Sequence, residues 1–166
     1  MWRQTEPEDA LSVQLTDFGF SSFAASDDTL VRVSRSEPWE APEWHMRDFT
    51  LAKAKKMDIY SFGLLCFWIF FRDQTLVEFG LPSATVHSAF LGTDPEATAA
   101  IQALKKEGDS MLHWALKLLQ GRQDLTDRIR SCLEQVFKSV LVNDSEARHA
   151  TMDAVVNLLS DASDLQ

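Results

Sequence analysis

Thirteen consecutive residues, Ile59 to Phe71 (IYSFGLLCFWIFF), carry no charge at all. A membrane-spanning helix needs about 20 apolar residues, so this shorter run points to a helix buried inside protein. With Asp58 at its head it would span about 21 Å. Because it is apolar nearly all round, it reads as the central helix of a core. The remainder must then enclose it. The chain has 166 residues, 45% of them apolar and 25% charged, the balance of a single globular domain.

The surface is acidic. The formal charge is −9, from 25 acids against 16 bases, which makes nucleic acid and anionic membrane poor partners. Two cysteines, Cys66 and Cys132, are too few for a disulfide framework or a four-ligand zinc site. Each falls on an apolar stripe and reads as an inert core thiol. His45, His87, His113 and His149 lie far apart, without metal-ligand spacing. The opening MWRQTEPEDA is polar and acidic, unlike a signal or transit peptide, so the chain reads as intracellular and cytoplasmic.

Most of the chain beyond Asp58 has a helical period. Asp94 followed by Pro95 is an N-cap and first-turn pair, with Ala97, Ala100, Ile101 and Leu104 behind it and Gly108 as the stop. Met111, Leu112, Ala115, Leu116 and Leu119 form a second stripe, closed by Gly121. The clearest stripe is Leu125, Ile129, Cys132, Leu133, Val136, Phe137 and Val140, and a last one carries Met152, Val155, Val156 and Leu159. Val13 and Leu15 alternate with polar neighbours as in a short strand. Phe18 to Asp48 reads as a long loop, which in a compact domain is usually functional. The expected fold is therefore mainly α, a helical bundle around a buried central helix.

Four short motifs occur in order. Asp17-Phe18-Gly19 follows the predicted strand; a carboxylate there can hold a hard divalent cation, and glycine lets the chain swivel behind it. Ala41-Pro42-Glu43 begins 24 residues after Asp17, and Asp58-Ile59-Tyr60-Ser61-Phe62-Gly63 begins 15 residues after Glu43. Near the C-terminus stands Asp144-Ser145-Glu146-Ala147-Arg148. In order and spacing this set resembles the second half of the eukaryotic protein kinase domain, including its D-P-x-x-R, with Ser145 in place of the proline. SEPWEAPEW and AKKMDIYSFG are similar to a divergent, fungal-type subgroup of that family.

The resemblance implies a partial kinase domain over residues 1–166: a leader and strand (1–16), an activation segment (17–43) and the helical lobe (44–166). It implies Mg²⁺ of ATP on Asp17 and a protein substrate or partner kinase. Phe18, Gly19, Ser36, Ala41, Pro42 and Glu43 belong to the activation segment, with Ser36 where the family has a substrate-facing threonine and Arg35 in place of the usual glycine. Asp58 is implied to begin the central helix and face the catalytic loop, and Gly63 to lie on that helix. Glu43 is implied to pair with Arg148, 105 residues away. Trp39 and Trp44, flanking the motif, read as packing residues.

Other parts of the family pattern are not found in these 166 residues. The six glycines are never closer than 12 residues, so no glycine-rich phosphate loop is present. The lookalike His45-Met46-Arg47-Asp48 follows Ala41-Pro42-Glu43 instead of preceding Asp17, and Lys53 stands where the catalytic loop's asparagine would fall. The chain by itself is expected to be inactive, with weak or no ATP and Mg²⁺ binding. Two readings follow. Either the chain derives from an active Ser/Thr-type kinase whose catalytic loop is encoded just upstream, or it is a non-catalytic binding or regulatory module. A helical lobe alone would also expose the surface that meets the other lobe.

Overall fold

The computed structural model describes residues 26–45, 49–149 and 151–163. The predicted strand at Val13 and Leu15, the Asp17-Phe18-Gly19 motif and positions 46–48 of the catalytic-loop lookalike lie outside them.

The fold is mainly α. In chain order the elements are β1 (Leu30–Val31), β2 (Phe49–Thr50), α1 (Leu51–Phe71), β3 (Thr75–Leu76), β4 (Leu81–Thr85), α2 (Val86–Phe90), α3 (Pro95–Lys106), α4 (Ser110–Gly121), α5 (Asp127–Val140) and α6 (Met152–Ser163). Two antiparallel ladders, β1 with β2 and β3 with β4, interrupt the helices. The first corrects the reading of Phe18 to Asp48 as loop throughout: Leu30 pairs with Thr50, and Val31 with Phe49. A two-residue strand is too short for alternation to reveal it.

The central helix begins at Leu51, seven residues before the expected Asp58. Thr50 caps it by accepting a hydrogen bond from the Lys53 amide (3.3 Å), and LAKAKK is made of strong helix formers that carry no apolar stripe. At 21 residues it is about 31 Å long. Met57, Ile59, Tyr60, Gly63, Leu64, Cys66, Phe67 and Phe71 are buried, but Leu65 and Ile69 are 40% and 53% exposed. The helix is thus core on one side and open on the other, where the sequence implied burial nearly all round.

α1 packs on α2 and α5, and α3, α4 and α6 complete the bundle through α2·α3, α3·α4, α4·α5 and α5·α6 contacts. Phe67 sits at the centre, its ring 5.1 Å from Phe71, 5.0 Å from Trp114 and 6.2 Å from Phe90. Burying such a side chain contributes about 1.5–3 kcal/mol. Gly63 is where α1 meets the end of α5. A Cβ added there would lie 2.5 Å from Val140 Cγ2 and 2.8 Å from Leu141 Cδ2, so only glycine permits this approach without repacking.

The capped helix at Asp94 matches its signal: the carboxylate accepts from the Glu96 and Ala97 amides (3.1 and 3.0 Å), Pro95 opens α3, and Gly108 turns the chain at φ +53°. In α5 the buried stripe is Leu133, Val136, Phe137 and Val140. Leu125 falls before the Thr126 cap and Ile129 is 40% exposed, so the expected stripe fades at its N-terminal end. No helix among the described residues is long and apolar enough to cross a membrane.

Candidate functional site

The segment Arg35–His45 lies between β1 and β2 in the chain and carries four of the motif residues. It is held as a turn: the exposed Ser36 offers its carbonyl to the Trp39 amide (2.6 Å) and the Glu40 amide (3.1 Å). Trp39 lays its ring against Phe90 (4.7 Å) and edge-on to Trp68 (6.1 Å), and Ser61 Oγ donates to its carbonyl (2.8 Å). Ala41 is buried. Pro42 then opens a 3-10 turn, Pro42–His45, in which the fixed φ of proline costs nothing. Trp44 Nε1 donates to the Val33 carbonyl (3.2 Å), and His45 Nδ1 is 2.9 Å from the Pro42 carbonyl.

Two buried cations anchor this segment from behind. The first is Arg148, which follows a 3-10 turn capped by the Asp144 carboxylate on the Glu146 amide (2.9 Å). Its two Nη atoms donate to Glu43 Oε1 and Oε2 at 2.5 and 2.9 Å. Its remaining donors reach the carbonyls of Val142 (2.8 Å), Lys56 (3.2 Å) and Asn143 (3.0 Å). All five N–H groups are therefore used. The guanidinium lies 4.7 Å above the Tyr60 ring, and Lys56 Nζ donates to the Arg148 carbonyl (2.7 Å). Burial pushes the Tyr60 phenol up, so it stays neutral at any physiological pH.

The second cation is Lys105, at the end of α3 and 1% exposed. Its Nζ donates to the carbonyls of Pro38 (2.7 Å) and Glu40 (2.8 Å) and stands 4.0 Å from Glu40 Oε1. Burial is the main cause that pulls its ammonium down to about 8, with Glu40 acting in the other direction. Gln102, one turn earlier on α3, donates Nε2 to Glu40 Oε1 (2.7 Å).

Of the sequence-derived residues, Glu43 and Arg148 meet, and Ala41, Pro42 and Ser36 lie on the segment they anchor. Gly63 sits apart, in the α1–α5 contact. Asp58 does not begin a helix: it lies within α1 at an exposed position, and its carboxylate accepts no hydrogen bond from the described residues. The desolvation its carboxyl does feel raises its pKa. Cys66 is buried, which pushes its thiol up to about 11, while Cys132 is half-buried and donates Sγ to the Leu158 carbonyl (3.3 Å). Lys53 serves the N-terminal cap of α1.

Lys105, Glu40 and Gln102 were not anticipated. A signal exists for Lys105: it occupies the fourth place of the stripe Ala97, Ile101, Leu104, where a charged side chain is costly unless acceptors meet it. Among the described residues no group of three or more His, Cys, Asp or Glu side chains could hold a metal ion. What the arrangement supplies is a segment anchored by two buried cations beside a cleft against α3. No family model, curated protein or solved structure matches this chain.

Proposed function

We propose that this chain is the helical lobe of a protein kinase domain, serving ATP-dependent Ser/Thr-type phosphoryl transfer to a protein substrate together with elements outside these 166 residues. The observation that carries the reading is the Glu43–Arg148 pair. Two landmark residues 105 positions apart form a two-bond carboxylate–guanidinium clamp that ties the end of the loop segment to the helical body. Three further motif residues support it by taking part in the same architecture. Tyr60 lies under Arg148, Ser61 bonds the Trp39 carbonyl, and Gly63 admits α5.

In this reading Asp17 holds Mg²⁺ of ATP and Ser36 faces the acceptor. The segment Ser36–Glu43 positions the substrate, one part of what a protein contributes to phosphoryl transfer beside electrostatic stabilisation of the phosphoryl group. A second reading is a non-catalytic binding module built on the same lobe.

The genomic sequence upstream of the Met1 codon separates the two. An in-frame H-x-D-x-x-x-x-N, and an extended protein whose transfer of phosphate from ATP is abolished by Asp17→Asn, is the expected result. Stop codons in every upstream frame would leave only the binding module. The 166-residue chain alone is expected to show no ATP turnover and only feeble Mg-ATP binding by calorimetry; a low-micromolar dissociation constant would overturn that assignment.

A further inference from the structure

We infer that the outward face of α3 is the contact surface of a two-fold homodimer, in which α3 of a second copy lies antiparallel upon it. The inference stands apart from the phosphoryl-transfer reading. α3 buries Ala97, Ile101 and Leu104, and it packs on α2, β4 and α4. On the opposite side Glu96, Ala99, Ala103 and Lys106 are all exposed. At about 100° per residue, these four lie within about 40° of the line opposite Ile101. A groove of about 680 Å³ opens beside that line, lined by Gly92, Pro95, Ala99, Ala103 and Lys106 and, from the neighbouring segment, by Glu37.

The face is its own complement. Counted from Ile101, Ala99 and Ala103 stand two positions away and Glu96 and Lys106 five. A second α3 turned end over end about that midpoint therefore sets its Ala103 on Ala99 and its Lys106 on Glu96, and the reverse at the other end, as a two-fold contact requires. Glu96 and Lys106 cannot answer each other within one chain, because about 15 Å of helix separates them. Neither has an ion-pair partner among the described residues. On α5 the corresponding charges are satisfied internally, Glu134 with Lys138 at 2.6 Å.

An acid in the first turn and a base in the last also suit the helix dipole. The dipole does not account for the middle of the face, where two alanines stand between the charges. Their size lets two helix axes approach to about 8 Å, which brings the terminal charges within reach of each other. The net charge of −9 on each copy opposes association. Salt screens that long-range repulsion more than it weakens pairs enclosed in a contact. Two short helices make a small interface, so the dimer is a weak, transient one.

The test is sedimentation equilibrium of the whole chain at about 0.15 M salt. The weight-average mass should rise from 18.8 kDa toward twice that as the concentration is raised to about 0.3 mM. Lys106→Glu sets like charges together at both ends and should weaken the dimer at least about tenfold, as should Glu96→Lys. The double variant, Glu96→Lys with Lys106→Glu, restores the complement and should return the affinity to within about threefold of the parent. A role confined to the helix dipole predicts no such recovery, since the double variant opposes the dipole at both ends. A monomer at every concentration overturns the proposal. So does a dimer that the single reversals leave unchanged, or one that the double reversal fails to restore. If the reversed variants do not fold, as judged by their circular-dichroism melts, Ala103→Arg decides. It sets a long side chain where the helices come closest, and an unchanged dimer there rejects the face.

Discussion

Arg148 and Lys105 perform the same task, tying the Pro38–Glu43 segment to the helical body, by different chemistry. Arg148 is 3% exposed and uses all five donors, two on a carboxylate and three on carbonyls. Every one of its donors is answered. Lys105 is 1% exposed, has its two short bonds on carbonyls, and lies 4.0 Å from the Glu40 carboxylate. Its ammonium is accordingly pulled down to about 8. A buried cation is stabilising only to the degree that every donor finds an acceptor. Arginine's fixed fork met that demand here, and the lysine met it in part.

The largest expected effect breaks the stronger clamp. Arg148→Ala should cost about 3–5 kcal/mol in urea unfolding, because it strands the Glu43 carboxylate, whose side chain is 14% exposed, and three carbonyls. A cost below about 1 kcal/mol would mean that the pair behaves as an exposed one, and the contrast with Lys105 would vanish.

Lys105 should instead reveal itself through pH. Its folded pKa, about 8, lies below the unfolded value of 10.5, so the folded state binds fewer protons between those values. Stability contributed by Lys105 therefore rises as pH increases from about 8 to about 10.5, by up to roughly 3 kcal/mol, and is at its lowest below pH 8. Lys105→Met, compared with the parent chain across that window, should show the gap moving in the parent's favour. A pH-independent difference would mean that the lysine is as well satisfied as Arg148.

The smallest effect sets the baseline. Lys55 Nζ meets Asp27 Oδ1 at 2.7 Å, as short as the bonds of the buried pairs, but both side chains are more than half exposed (54% and 63%). Asp27→Ala should change stability by less than about 1 kcal/mol, and high salt should abolish even that. A larger loss would show that distance, and not burial, governs the ranking.

Legibility followed the same division. Helices α3 to α6 could be read from period and caps because each shows one apolar face to the core, and the Asp94 cap is a local interaction spelled by adjacent residues. The start of α1 was misplaced because Thr50 and LAKAKK mark a helix by capping and propensity, while the apolar run starts only at Ile59. Glu43 and Arg148 were expected to pair only because their motifs resemble those of a known family; nothing local to either residue announces the other. Glu40, Gln102 and Lys105 were not expected to meet, since their meeting depends on how α3 docks against a loop more than 60 residues earlier.

By itself, then, the sequence determined that the chain is mainly helical, that its most apolar run is a core helix, and which residue stands at each motif position. These follow from local spacing, capping and the cost of exposing apolar surface. Only the tertiary structure decided that α1 leaves Leu65 and Ile69 open, that Asp58 sits inside a helix, and that a lysine occupies a core position. Burial and hydrogen-bond satisfaction belong to the assembled neighbours of a residue, and three carbonyls and a carboxylate converge on one guanidinium only once the whole bundle has closed.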